Sequence, residues 1–283
     1  MQITNTLQRI GDHGRRVLRE TFDRLDKKST LEMDVPPGRD LRNKPIIQTL
    51  RYLGVPRTIG GFDQNYLVAL AYRFDVLIEI DCAVGDTIVY DTKLLQVRGS
   101  LQLPEKELWR AIHLADERTF EQDPKYPIRL LVDIAIKALS PAINDPTTAV
   151  QAIHQIEDLL RRLGRRRLDD VHAQDGQGIV RLIYPTPNWE DFLRLSFDEI
   201  RQYGAGSVQV MRRLRSALAG VAESISDHSQ VAAVERYVHQ LDLVISRSPL
   251  DPEDRAVASQ QDRQGLGISR PHPAFKVAST SAT

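Results

Sequence analysis

Apolar residues recur at helical spacing from the start of the chain. Ile3, Leu7, Ile10, Val17 and Leu25 share one face, Leu18 and Phe22 widen it, and Arg, Asp and Glu occupy the other. This pattern predicts an amphipathic helix over residues 1–28, loosened near Gly11 and Gly14. Its stripe needs a cover: the chain's own body, a neighbouring domain, a second copy or a membrane surface. The near-seven period of Ile3, Ile10 and Val17 suits self-association. Val35-Pro36-Pro37-Gly38 then breaks regular structure, and 29–45 reads as a linker. Over 46–100 the period falls to two. Val76, Ile78, Ile80, Cys82 and Val84 alternate with Leu77, Glu79, Asp81 and Ala83, as in a half-buried strand. Gly60-Gly61, Gly85-Asp86 and Asp91-Thr92 mark turns between short β-branched runs, and Tyr66–Tyr72 reads as a turn or two of helix.

Over 104–268 the period is mainly helical. Leu108, Ile112 and Ala115 stripe a helix opened by Pro104-Glu105 and ending near Glu117. Ile128–Leu139 is apolar on nearly all sides, which predicts a central buried helix. Ala149, Val150, Ile153, Ile156, Leu160 and Leu163 line the next, and Gly164 stops it. A polar stretch over 171–178 leads to a short strand at Ile179–Tyr184. Further helices open at Asn188, run through Val210–Ile225 and Val231–Ile245, and end with a short one from Asp251-Pro252. Residues 270–283, rich in small polar residues, read as a disordered tail. The fold class is therefore α+β: a small β module followed by a mainly helical body. Within the module, Val84–Val89 resembles the turn of the barrel-sandwich hybrids found in biotinyl and lipoyl carriers. A carrier needs a lysine at an exposed hairpin tip, whereas Lys93 opens a strand beside Leu94 and Leu95, so the resemblance implies a structural module of weakly barrel-sandwich shape.

Three Asp-Pro pairs, Asp123-Pro124, Asp145-Pro146 and Asp251-Pro252, each precede a helical stretch. Aspartate accepts from the unpaired N–H groups of a helix start, and proline at the first helical position gives up no bond. Capping alone would explain all three. Around Asp145, however, Ser140, Asn144, Thr147 and Thr148 crowd small polar groups at a helix start, where an anion or small polar ligand could be held. A second polar cluster, Arg118–Asp123, lies at the other end of the intervening helix. Sixteen residues from Pro124 to Leu139 span roughly 24 Å at ~1.5 Å each, too far for the two clusters to share a small substrate within one chain. Asp133 stands midway, with Arg129 and Lys137 one turn to either side, a spacing that favours a local ion pair and leaves a proton-handling role open.

Charge excludes some chemistry. Thirty-eight Lys+Arg balance thirty-eight Asp+Glu, so no net field steers the chain to nucleic acid. The basic cluster Arg161, Arg162, Arg165, Arg166 and Arg167 is followed at once by Asp169-Asp170 and reads as a solvated helix end. One cysteine, Cys82, allows neither an internal disulfide nor a cysteine-built zinc site. The seven histidines show no HExxH or HxxxH spacing, and no P-loop, GxGxxG or GxSxG stands anywhere. No cofactor or metal is expected. No run is long and apolar enough to span a bilayer.

Arg118–Asp123, Leu131-Val132-Asp133-Ile134-Ala135 and Ala138–Ala149 together resemble the bacterial domain-of-unknown-function family 2254, described as predicted membrane proteins, with Asn144-Asp145-Pro146 the most specific mark. Phe197–Tyr203, Val208–Leu214 and Asp262–Gly267 extend the resemblance. It implies N-terminal membrane helices, unreadable in this chain, followed by a soluble domain of this size, with no established activity or cofactor. The function expected is that of the soluble, cytoplasmic portion of a membrane-associated protein, binding a ligand or partner without turnover through Ser140, Asn144, Asp145, Thr147, Thr148, Arg118 and Asp133. A hydrolase using Asp133 or Asp145, or a structural homo-oligomer joined through the first helix or the helical body, are the alternatives.

Overall fold

The computed structural model describes residues 2–22, 40–119 and 122–267. The tail expected over 270–283, the end of the first helix beyond residue 22 and the linker up to residue 39 lie outside the described residues. The chain divides into two compact units: His13–Pro127 with Arg166–Asn188, and Met1–Asp12 with Ile128–Arg165 and Trp189–Thr283. The first helix, α1 (Gln2–Thr21), contributes to both. Leu7, Ile10, Val17, Leu18 and Phe22 are buried and Ile3 is exposed, so the chain itself covers most of the stripe.

The β unit is built from β1 (Ile46–Tyr52), β2 (Arg57–Phe62), α2 (Gln64–Phe74), β3 (Leu77–Ile80), β4 (Thr87–Ile88), β5 (Thr92–Arg98), α3 (Glu105–Arg110), β6 (Ile112–Ala115), β7 (Val171–Gln174) and β8 (Val180–Tyr184). Among the described residues one sheet runs β1-β5-β3-β8-β7 and the other β4-β2-β6, and only β3 and β8 pair in parallel. These are open sheets rather than the barrel-like module expected, because β8 and β7, far along the chain, extend one edge. Ile78, Val97, Leu95, Leu182, Leu67 and Ile59 form the core between the elements.

Three local expectations change. The stripe through Leu108, Ile112 and Ala115 is not one helix. Ala111 ends α3, and Ile112–Ala115 turns extended to pair with β2, burying Ile112 and exposing His113 in alternation. Gly60-Gly61 lies inside β2, at a bulge, instead of making a turn: the Gln122 side chain occupies the space a Cβ on Gly61 would need. The polar stretch at 171 contains a strand, β7, stabilised by its ladder to β8 and not by its own apolar pattern.

The charged centre of this unit is Arg181, whose side chain is 2% exposed. It donates to Asp175 at 2.7 Å and to Asp75 at 2.9 Å, and its guanidinium lies over the Tyr72 ring. Burial pushes the Asp175 carboxyl up. Arg181 and the backbone N–H groups of Gln177 and Ile179 outweigh that and hold it below its ordinary range.

The other unit is helical: α4 (Tyr126–Ala138), which enters it at Ile128, then α5 (Pro146–Leu163), α6 (Trp189–Tyr203), α7 (Val208–Ala222), α8 (His228–Arg247) and α9 (Pro252–Ala258). α7 is its spine, packed against α5, α8 and α9. Ile153, Ile156 and Leu160 of α5 and Val210, Leu214, Ala217 and Val221 of α7 are all buried. Gly220 brings α7 so close to α5 that Arg161 and Glu157 fill the place of a side chain, and the buried Arg213 also pairs with Glu157. α4 is amphipathic rather than buried all round: Ile128, Leu131, Val132, Ala135 and Ala138 are covered, while Asp133 and Lys137 face outward.

Candidate functional site

The Asn-Asp-Pro segment forms the connection from α4 to α5. Its backbone closes tightly, with Asn144 N–H donating to the Ser140 carbonyl at 2.9 Å and Asp145 N–H to the Ala138 carbonyl at 2.8 Å. Asn144 takes a positive φ of 47°, which asparagine tolerates better than most side chains. Asp145 caps α5. One carboxylate oxygen accepts from Thr148 N–H at 3.0 Å and the other from the Thr148 hydroxyl at 2.6 Å. Those bonds, the hydroxyl's first, hold the Asp145 carboxyl below its ordinary range. Ser140 donates back to the Lys137 carbonyl at 2.7 Å. Thr148 is buried, whereas Asn144 and Thr147 are exposed. Replacing Asp145 by alanine is expected to lower stability by ~1 kcal/mol, the usual worth of such a cap, as read from urea unfolding at neutral pH.

Asp133 lies on the outer face of α4, 49% exposed, and pairs with Arg129, which also holds Glu199 of α6 at 2.9 Å. The buried proton-handling group left open by its apolar neighbours is therefore not found; Asp133 is one arm of a surface ion-pair network. Arg118 belongs to the other unit. It stands 3.9 Å from Asp123, a long ion pair to a buried carboxylate.

Asp123 departs from the capping expectation. α4 begins only at Tyr126, and Asp123 accepts instead from Lys125 N–H at 2.9 Å while its other oxygen, Oδ2, has no hydrogen bond among the described residues and sits against Gly85. Lys125 in turn reaches Asp86 at 2.8 Å, so the segment is stitched to the Val84–Asp86 turn. Burial raises the Asp123 carboxyl, more than Lys125 and Arg118 lower it. A raised acid favours the fold in its neutral form. Its penalty begins as pH rises through the ordinary carboxylate range and is complete above the raised value. Asp123→Asn should therefore melt higher than the unaltered chain at neutral pH, with the gap closing as the solution is made more acid.

Beside this segment the β unit carries an open cleft of about 1250 Å³, with Asp63, Gln64, His113, Gln122, His172 and Tyr184 on its walls. Asp63 caps α2 through Tyr66 N–H, Gln122 accepts from Phe62 N–H at 3.1 Å, and the Tyr184 hydroxyl is bonded to Gln64 at 3.2 Å. Of these, only Gln122 lay within a cluster singled out from sequence. The histidines come from β6 and β7, one an unexpected strand and the other a misread helix, so no spacing could announce them. Among the described residues no group of three or more His, Cys, Asp or Glu side chains is arranged to hold a metal ion. The basic cluster is divided: Arg161 and Arg162 pair with Glu157 and Asp158 a turn back on α5, and Arg166 donates to the Phe22 carbonyl at 2.6 Å.

Uncharacterised proteins of Mycobacterium bovis and Mycobacterium tuberculosis are 34% identical to the chain over 148 residues, 52% of this chain and 28% of theirs. The matched stretch thus spans little more than a quarter of those relatives. No solved structure gives a significant match. No helix among the described residues is long and apolar enough to cross a membrane. The model of one family, Predicted membrane protein (DUF2254), matches residues 1–220, and the chain belongs to that family.

Proposed function

We propose that the chain works as an extramembrane portion of a membrane-associated protein and binds a ligand or partner without turning it over. The observation that carries this reading is the state of the two acids that could act as bases. Asp145 has both carboxylate oxygens committed to Thr148, and Asp133 is paired with Arg129 on an exposed face. A general base needs a free oxygen within reach of the proton it removes, and a pKa moved toward the working pH. Asp145 is moved the other way. The polar cleft of the β unit is, by contrast, concave and of a size that suits a small molecule or a peptide segment. The exposed Asn144 and Thr147 are a second, smaller surface for the same role.

The test is to purify the full chain, release whatever it retains, identify it by mass spectrometry and measure its rebinding. His172→Ala and Gln122→Ala should weaken rebinding with no product formed by the unaltered protein. A reaction that proceeds with the unaltered chain and disappears in a folded Asp145→Asn or Asp133→Asn variant would instead establish the hydrolase alternative.

A further inference from the structure

The three most exposed apolar side chains of the β unit among the described residues, with a fourth beside them, come from two adjoining turns, while Leu101, 59% exposed, lies outside both. Tyr90 is 70% exposed, Val55 69%, Leu53 66% and Val89 51%. They come from two turns, 53–56 between β1 and β2 and 89–91 between β4 and β5. Those turns stand side by side because both ends of one are laddered to both ends of the other: Tyr52 lies opposite Thr92, and Arg57 opposite Ile88. Asp91 N–H donates to the Tyr52 carbonyl at 2.7 Å, and Arg51 to the Asp91 carbonyl at 2.8 Å. Beneath the first turn the buried Tyr52 ring folds back and its hydroxyl donates to the Val55 carbonyl; a side chain on Gly54 would collide with it. The turns are thus braced from inside and hold Leu53 and Val55 outward.

The turn 53–56 carries no charge, and the turn 89–91 carries one, Asp91, which is paired with Arg51 at 3.1 Å. The other charges at the base are paired as well: Lys93 with Asp81 at 3.1 Å, and Arg57 with Asp116. Contiguous exposed apolar groups on a soluble surface mark a contact with protein or membrane. Two adjacent turn tips form a projection, not a groove, and a projection of aliphatic side chains with a tyrosine, its one charge neutralised by a paired arginine, matches the boundary between lipid headgroups and acyl chains, where the ring is buried and its hydroxyl stays wet.

We propose that this tip inserts into the surface of a lipid bilayer and sets the β unit against the membrane. The proposal rests on the reading that the protein works at a membrane. It adds the docking surface.

The experiment is co-sedimentation of the full chain with vesicles of phosphatidylcholine alone and of phosphatidylcholine with phosphatidylglycerol. The chain should bind both, with little dependence on salt, since the tip is neutral. A Leu53→Ser/Tyr90→Ser variant, altered only at exposed positions, should melt as the parent does and bind roughly ten-fold or more weakly. Failure to bind either vesicle, equal binding by the variant, or binding confined to the anionic vesicles and abolished by salt would each overturn the proposal, as would a dimer lost in the variant with no lipid binding. Retention of a small molecule in the cleft is expected to be unchanged in this variant, so the binding function and the lipid contact fail separately.

Discussion

Arg181→Met should lower the stability of the chain by about 3–5 kcal/mol, the usual cost of breaking a buried ion pair from one side. The loss follows from what remains. Asp175, whose side chain is 3% exposed, would keep its bonds from Gln177 and Ile179 N–H but lose the cation that neutralises it. Asp75, 63% exposed, would be returned to water at little cost. Arg181→Met with Asp175→Leu should recover part of the loss, because it removes the stranded charge along with its partner but leaves Gln177 and Ile179 N–H without their acceptor. The ion pair also predicts a direction with pH. The fold holds Asp175 below its ordinary range, so its contribution is present above the unfolded-state value and is lost as pH falls through the lowered one. Urea unfolding of the single and double variants across acid pH reads both effects.

Gly85→Ala is the second large loss, about 2–5 kcal/mol. Gly85 has φ +85°, where a side chain is strained in any surroundings. A Cβ there would also meet the Asp123 carboxylate, which is buried and braced by Lys125 N–H and so has little room to give. The two causes separate experimentally. Asp123→Ala removes the collision and leaves the backbone strain, so Gly85→Ala should cost less in thermal melting in the Asp123→Ala background than in the unaltered chain. The reference is Asp123→Ala alone, because losing the buried charge changes melting by itself. A cost that vanishes in that background would mean that the φ carries none, and an undiminished one that the carboxylate is not the obstacle.

These positions show what a sequence can reveal here and what it hides. The stripes on α5, α7 and α8 were legible because each helix buries one face against its neighbours within the same unit, and 3.6-residue spacing records that directly. Leu108, Ile112 and Ala115 carry the same spacing by coincidence. Their separation matches a helix, yet Ile112 and Leu114 answer to β2, some fifty residues upstream, and local periodicity holds no trace of that pairing. β7 is polar enough to pass for a loop because its ladder to β8 supplies what its side chains do not. Asp145 and Asp251 could be read as caps, since an Asp-Pro pair is a local device, and the second caps α9 through Asp254 N–H. Asp123-Pro124 has the same two letters but a different task, decided by Gly85 and Asp86 nearly forty residues earlier. The apolar neighbours of Asp133 suggested burial; its partner Arg129 lies with it on the one face of α4 that the core does not need, and reaches Glu199 of α6 from there. The cleft was illegible for the same reason as β6 and β7, whose histidines line it only once β6 has paired with β2 and β7 with β8.

The central claim is that the aspartate of the Asn-Asp-Pro segment starts a helix and does not remove protons. Following the carboxyl carbon of Asp145 by NMR through an acid titration tests it most directly, with the Thr148 amide as a second signal. The account predicts that Asp145 titrates below the ordinary carboxylate range and that the Thr148 amide moves with it, since both carboxylate oxygens are bonded to that residue. A carboxyl that takes up its proton near neutrality, or a Thr148 amide indifferent to it, would contradict the account.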